Sequence, residues 1–166
     1  MVGNDQNFTV INLNDFINLR LESLEQSPES FLSTFVEEVN YTKQDWQNKL
    51  QSGYWFGYFD NDQLCAMINL QLSNKIKTAH IAEIGGLYIK KQLRKSGIAK
   101  KLILFAEKFC IQKNILQIYL GCNAENEVAI NLYKKLSYQI IATRPDYAYS
   151  KLQNKYFDDV IMLKIL

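Results

Sequence analysis

From Gly97 to about Lys113 the apolar residues Ile98, Leu102, Phe105, Ala106 and Phe109 recur at helical spacing. Lys100, Lys101, Glu107 and Lys108 fall largely outside that stripe. A helix with one apolar stripe must bury it against another apolar surface. The run Ala79 to Ile89 just upstream reads as a strand, and its Gly85-Gly86 pair predicts a bulge or a close backbone approach. A strand, a basic turn and an amphipathic helix are therefore the unit around which the rest of the chain must be arranged.

The flanking segments are short and strand-rich. Phe8 to Ile11 predicts a first strand, followed by a helix that Asn14 can cap, with Phe16, Ile17, Arg20, Leu21 and Leu24 at helical spacing. Gln26 to Pro28 ends it. Thr42-x-x-Asp45 has the form of a capping box and opens a short helix carrying Trp46 and Leu50. Tyr54 to Phe59 and Leu64 to Leu72 form an antiparallel hairpin across the polar stretch 60–63. Downstream, Leu116 to Leu120 reads as strand, Asn126 to Leu136 as helix, and Tyr138 to Thr143 and Val160 to Ile165 as strands. An antiparallel meander followed by alternating strands and helices predicts a three-layer α/β or α+β domain around one central sheet.

Bulk properties narrow the class. The 166 residues, 48% hydrophobic and 22% charged, suit one globular domain over residues 1–166, with no repeat or linker to divide it. A net charge of +2 gives no general reason to expect nucleic acid or a membrane as partner. No run reaches the ~20 apolar residues of a membrane span, and the polar start of the chain is unlike a signal peptide. Cys65, Cys110 and Cys122 are widely spaced and read as buried free thiols, which suits a reducing, cytoplasmic setting.

Arg94-Lys95-Ser96-Gly97-Ile98-Ala99 is the most informative stretch. A helix start leaves backbone N–H groups without partners and carries partial positive charge, and phosphate oxygens satisfy both. Gly97 and Ala99 allow close approach to the backbone, and Arg94, Lys95, Lys100 and Lys101 add charge. The bland alternative is a tight turn with solvated lysines. The dinucleotide-binding pattern G-x-G-x-x-G and the P-loop pattern G-x-x-x-x-G-K-[ST] are both absent.

Arg94-x-x-Gly97-x-Ala99 resembles the signature [Arg/Gln]-x-x-Gly-x-[Gly/Ala] of the GNAT superfamily of acetyl-coenzyme A-dependent N-acetyltransferases. The resemblance extends over most of the chain and is strongest from about Ile81 to Thr143. Ala82-Glu83-Ile84 through Ile89 is similar to the family's fourth strand. Asn123 to Asn126, Ala129-Ile130 and Leu132 to Leu136 are similar to the helix that follows the fifth. Ser27 to Phe31 and the Trp46 helix resemble the amino-terminal half of many members. Lys91, Lys95 and Ser137-Tyr138 depart from the usual proline, glycine and Gly-Phe. These departures affect loop rigidity and helix termination rather than the chemistry.

The resemblance implies a mostly antiparallel seven-stranded sheet, splayed between strands 4 and 5 and flanked by about four helices. It also implies acetyl transfer from acetyl-CoA, the co-substrate, directly to a primary amine of a small molecule or protein, without a metal. Backbone groups of Leu87, Tyr88 and Ile89 then bind the pantetheine arm and the loop from Arg94 through Lys95, Ser96, Gly97, Ile98 and Ala99 to Lys100 binds the pyrophosphate. Asn126 binds the arm as well, with a helix cap as its plainer role, and the two roles are compatible. Glu83, eleven positions before Arg94, is the candidate base. The alternatives are ordered water as base and Glu83 as an ordinary strand glutamate. Tyr133 is the candidate general acid near the thioester sulfur, with a core aromatic as its alternative. His80 is the one histidine and reads as surface or structural, so no acyl-enzyme triad is expected.

For the acceptor side, the resemblance points to the first two helices and to an aromatic loop from Arg144 to Tyr149. Tyr147, Tyr149, Tyr156, Asp158 and Asp159 are candidates to cradle a cationic amine. A homodimer is compatible with the sequence. A GNAT-fold acyl-CoA sensor or interaction module without turnover is the rival reading.

Overall fold

The computed structural model describes residues 8–166. Seven strands form one sheet in the order β1-β2-β3-β4-β5-β7-β6. They are β1 (Phe8–Val10), β2 (Tyr54–Asp60), β3 (Gln63–Leu72), β4 (Ile81–Ile89), β5 (Gln117–Asn123), β6 (Gln139–Ser150) and β7 (Lys155–Ile165). All neighbouring pairs are antiparallel except β4 and β5. Five α-helices accompany them: α1 (Leu13–Gln26), α2 (Phe35–Glu38), α3 (Lys43–Gln51), α4 (Ile98–Gln112) and α5 (Glu127–Lys135). The expected mixed architecture is thus present.

The longer helices cover the sheet through their apolar stripes. Leu102, Ile103, Ala106 and Cys110 of α4 are fully buried against Phe56, Ala66, Ile68, Leu70, Ala82 and Ile84, in a core shared with Ile118, Leu120, Ile130 and Met162. On the opposite face Phe16 and Leu19 of α1 and Trp46 of α3 pack with Trp55, Leu64, Met67 and Tyr88. The β2–β3 turn uses Asn61 and Asp62 at φ 47° and 61°, the left-handed pair that matches strand twist in a two-residue hairpin.

The parallel β4–β5 pairing is short. It runs from Ile81↔Gln117 to Ile84↔Leu120 and stops. Beyond it β4 stays with β3 through Gly85↔Asn69 and Tyr88↔Met67, while β5 stays with β7 through Asn123↔Asp159. The sheet therefore opens between the two strands. At the opening β4 carries the bulge expected from Gly85-Gly86, with Gly86 at φ +59°. A Cβ on Gly86 would stand 2.7 Å from Trp55, so the position requires glycine.

Three local expectations are corrected. The cap of α1 is Asn12, whose side chain accepts from the Asp15 N–H at 2.9 Å, and Asn14 lies inside the first turn. Arg144 to Tyr149 is not a loop but the second half of β6, with a register shift between Arg144 and Ala148. Pro145 is tolerated there because β6 is an edge strand. The strand Ala79–Ile89 begins only at Ile81, because Ile76–Thr78 makes a 3₁₀ turn. The Thr42–Asp45 capping box forms as read, and a second one, Thr34–Glu37, starts the helix α2 that periodicity did not show.

One buried ionic group ties α1, α2 and α3 together. Glu38 is fully buried, and receives bonds from Arg20 at 2.7 and 2.9 Å and an ion pair from Lys49 at 2.9 Å. Burial opposes its ionisation, but Arg20 and Lys49 outweigh burial and hold the carboxyl below its usual range. A carboxyl with a depressed folded-state pKa adds stability that is complete above the unfolded carboxylate range and fades as pH falls through the folded value. Glu38→Gln is expected to cost about 2 kcal/mol at neutral pH, by leaving Arg20 buried without its counter-charge. The deficit should shrink towards acid pH in denaturant titrations; a deficit constant with pH would show that the charge is not the cause.

Candidate active site

The residues after β4 build a turn aimed at the helix start. Lys91–Leu93 forms a 3₁₀ turn, Lys95 adopts φ 63° and Gly97 φ 85°, and the Ser96 hydroxyl donates to the Leu93 carbonyl. Gly97 is the N-cap of α4 and has no side chain to cap it; the first helical bond is Lys101 N–H to Gly97 O at 3.1 Å. The N–H groups of Ile98, Ala99 and Lys100 therefore lead the helix without a capping side chain. A Cβ on Gly97 would meet nothing within 4 Å, so the space before these amides is open. Lys95, Ser96, Gly97 and Lys100 are exposed and Ala99 is half-buried. Ile98 turns its side chain into the core and offers only its amide outward.

Arg94 has a different task from its neighbours. Its guanidinium donates to the Ile89 carbonyl at 3.1 Å and to the Ser27 hydroxyl at 2.9 Å, and lies 5.7 Å from the centre of the Tyr88 ring. It thus pins the loop to the end of β4 and to the end of α1. Tyr88 is buried and its hydroxyl donates to Glu22 at 3.0 Å; burial first, then Glu22, pushes the phenol up to about 12. The Tyr88 side chain is structural, which leaves its main chain to face the opening. Leu87 and Ile89 pack against the α4-side core with their side chains.

Tyr133 and Glu83 lie on opposite faces of the sheet. Tyr133 is buried in the α4–α5 core, with its ring 5.9 Å from that of Tyr138. Its hydroxyl makes no hydrogen bond among the described residues. Burial, and then neighbouring Cys122, raise its phenol well above the ordinary range. Asn126 caps α5, its side chain accepting from the Ala129 N–H at 3.1 Å, so the capping alternative is realised while its Nδ2 remains uncommitted.

Glu83 is exposed in a cleft of about 240 Å³ lined by Tyr119, Gly121, Arg144 and Ile161, on the face not covered by α4 and α5. It has no hydrogen bond or ion pair among the described residues. It stands opposite Tyr119, one row before the β4–β5 pairing ends. A group held in the opening would therefore have a free carboxylate on one side of the sheet and a protonated phenol on the other.

The five candidates for an amine cradle each have contacts of their own. Arg144 neutralises Asp159 through bonds of 2.6 and 3.1 Å and stacks 3.6 Å from the Tyr147 ring centre. Asp158 accepts from the Asp146 N–H, Tyr149 donates to Asn154, and Tyr156 lies against Tyr149 and is largely exposed. All three cysteines are buried and free, as expected. Burial raises the thiols of Cys110 and Cys122 to about 12 and 11, so neither supplies a thiolate near neutral pH. His80 is half-buried, and its carbonyl accepts from Leu116 and Gln117.

What sequence reasoning missed is the piece that crosses the opening. Ser27 is bound to Arg94, the Glu29 carbonyl accepts from the Asn123 side chain at 3.5 Å, and the Glu29 carboxylate accepts from the Ser150 hydroxyl at 2.6 Å. These partners lie 67 to 121 positions apart, beyond any local signal.

The sequence profile described as "Acetyltransferase (GNAT) family" matches residues 16–138. A spermidine N(1)-acetyltransferase of Thermoplasma acidophilum is 28% identical over 118 residues, 68% of this chain and 70% of that protein. The crystal structure of a GNAT-family acetyltransferase from Streptococcus pneumoniae superposes with a TM-score of 0.80 at 18% identity, over 96% of this chain and 98% of that one. A ribosomal-protein-alanine N-acetyltransferase from Brucella melitensis gives 0.78 at 15% identity, over 96% and 99%. With an opened parallel pair, an uncapped helix start beside it and a family match over most of its length, this chain belongs to the GNAT family of acetyltransferases.

Proposed function

We propose that the protein transfers an acetyl group from acetyl-CoA to a primary amine of a small molecule, directly and without an acyl-enzyme. The observation that carries this reading is the open, uncapped start of α4 beside the gap between β4 and β5. The leading amides and the surrounding lysines suit a diphosphate. The unpaired edge of β4 from Gly85 to Ile89 suits an extended arm bearing amide groups. When bound, acetyl-CoA supplies an activated acyl group with a thiol as leaving group.

The chain's own residues then divide the work. An amine arriving as ammonium, with a pKa near ~10.4, must lose a proton before it attacks. The Glu83 carboxylate, without a partner among the described residues and lining the cleft, is the group assigned to receive it, directly or through water. A main-chain N–H at the β4 bulge can donate to the developing oxyanion. Tyr133 lies on the other face of the sheet, and its hydroxyl has no hydrogen bond among the described residues. Because its phenol is raised, it serves as a hydrogen-bond donor to the departing sulfur rather than as a strong acid. The likeness to a spermidine acetyltransferase supports a small amine over a protein acceptor.

The test is thiol release from acetyl-CoA with a panel of amines. Amine-dependent release with a matching acetylated product is expected. Tight acetyl-CoA binding with no release for any amine would replace the enzyme with the sensor reading.

A further inference from the structure

We infer that Ser27–Ser30 is a strap forming the acceptor-side lip of the β4–β5 opening, and that the Glu29 carboxylate on it holds an ammonium group of a substrate carrying two amino groups. This rests on the acetyl-transfer reading above and specifies its substrate class.

The strap joins the two halves of the sheet where they have parted. At Ser27 it is fastened to the β4 side through Arg94, which also holds the Ile89 carbonyl. Two residues later the Glu29 carbonyl is fastened to Asn123 at the end of β5, and the Glu29 side chain to Ser150 at the end of β6. Cys122, next to Asn123, is the group beside Tyr133, so Glu29 stands at the same end of β5 as the phenol. The buried Ser150 hydroxyl donates to one carboxylate oxygen of Glu29 and fixes its orientation; the other oxygen has no partner among the described residues.

The neighbouring acids are already engaged. Asp159 is paired with Arg144, Asp158 accepts from Asp146, Glu125 is paired with Lys155, and Glu22 serves Tyr88 and Lys90. Asp158 and Asp159 also keep one unpartnered oxygen each among the described residues, but Asp159 is neutralised by Arg144 and Asp158 is held by the main-chain N–H of Asp146. Glu29 is the acid carried on the strap, Glu83 the one without any partner among the described residues, and their tasks differ. A fixed ion pair stabilises an ammonium and raises its pKa, which opposes the deprotonation that attack requires. The oriented carboxylate on the strap consequently suits the amino group that does not react, and Glu83 the one that does.

Putrescine and butylamine, which differ by one terminal amino group, test this. Binding of each to the CoA-saturated protein is measured by calorimetry, and acetylation by steady-state kinetics, for wild type, Glu29→Gln and Ser150→Ala. Glutamine keeps an oxygen to accept from Ser150 but removes the charge. Wild type is expected to favour putrescine by about tenfold or more, the scale of one charge-assisted contact. Glu29→Gln should abolish that preference through the putrescine Kd and KM, with acetyl-CoA affinity and melting midpoint unchanged. Ser150→Ala should give an intermediate loss. The inference is overturned if wild type binds the two amines equally or not at all, if Glu29→Gln keeps the preference, or if the variant loses acetyl-CoA affinity in step. Glu29-dependent putrescine binding without acetylation would uphold the strap site and reject the transferase reading. Equal acetylation of both amines would do the reverse.

Discussion

Gly97→Glu is expected to remove measurable acetyl-CoA binding, a loss of at least about a thousandfold, while leaving the protein folded. In the present geometry nothing lies within 4 Å of where a Cβ would stand on Gly97, so no protein atom has to move. The fold bears only the cost of a side chain at φ +85°, about 1 to 2 kcal/mol for an L-residue in the left-handed region. The ligand bears the rest. A carboxylate at the head of α4 would compete with the ligand for the positive end of the helix and its leading amides. It would also place negative charge where the proposed reading seats the diphosphate. Gly97→Gln separates these causes, since it matches the bulk without the charge, and should bind more tightly than the glutamate variant. Gly97→Ala isolates the backbone strain. Calorimetric titration with acetyl-CoA, beside a thermal melt, reads all three; a folded Gly97→Glu protein that binds normally would place the cofactor elsewhere.

How far such a site can be read from sequence depends on how local its parts are. The strand, bulge, turn and helix from Ile81 to Gln112 were legible because each is written in consecutive residues: alternation, a Gly-Gly pair, a basic turn and an apolar stripe. The role of Arg94 was not. As the first residue of the motif it invites a direct phosphate contact, but its Nε and Nη2 also fasten the loop to Ile89 and Ser27. Asn14 reads as the cap of α1, but Asn12, two residues earlier, fills that place in the helix that buries Phe16 and Leu19. The aromatic stretch around Pro145 read as a loop because proline is expelled from central strands; only the sheet order reveals that β6 lies at an edge. The strap across the opening depends on Glu29 meeting Ser150 across 121 positions, a contact no periodicity encodes.

Tyr133→Phe should lower turnover by about a hundredfold and leave the acetyl-CoA KM nearly unchanged, because the lost hydroxyl acts on charge that develops only as the thiol leaves. The variant should fold normally: the ring stays packed against Tyr138, and the hydroxyl it loses has no hydrogen bond among the described residues. The pH dependence carries the sharper information. Burial, reinforced by Cys122, raises the Tyr133 phenol well above its usual range, so it remains protonated throughout the neutral and mildly alkaline region. A donor of that kind adds no alkaline limb to the rate profile below about pH 10. The acid limb, set by deprotonation of the amine and its base, should be the same in wild type and variant. An alkaline limb that vanishes in Tyr133→Phe would mean that the phenol titrates lower and transfers its proton outright. Donor thioesters of more acidic thiols supply a second axis. A thiolate that is already a good leaving group needs little help, so the defect in Tyr133→Phe should shrink along such a series. Unchanged turnover with acetyl-CoA, or a defect indifferent to the leaving group, would return Tyr133 to the role of a core aromatic.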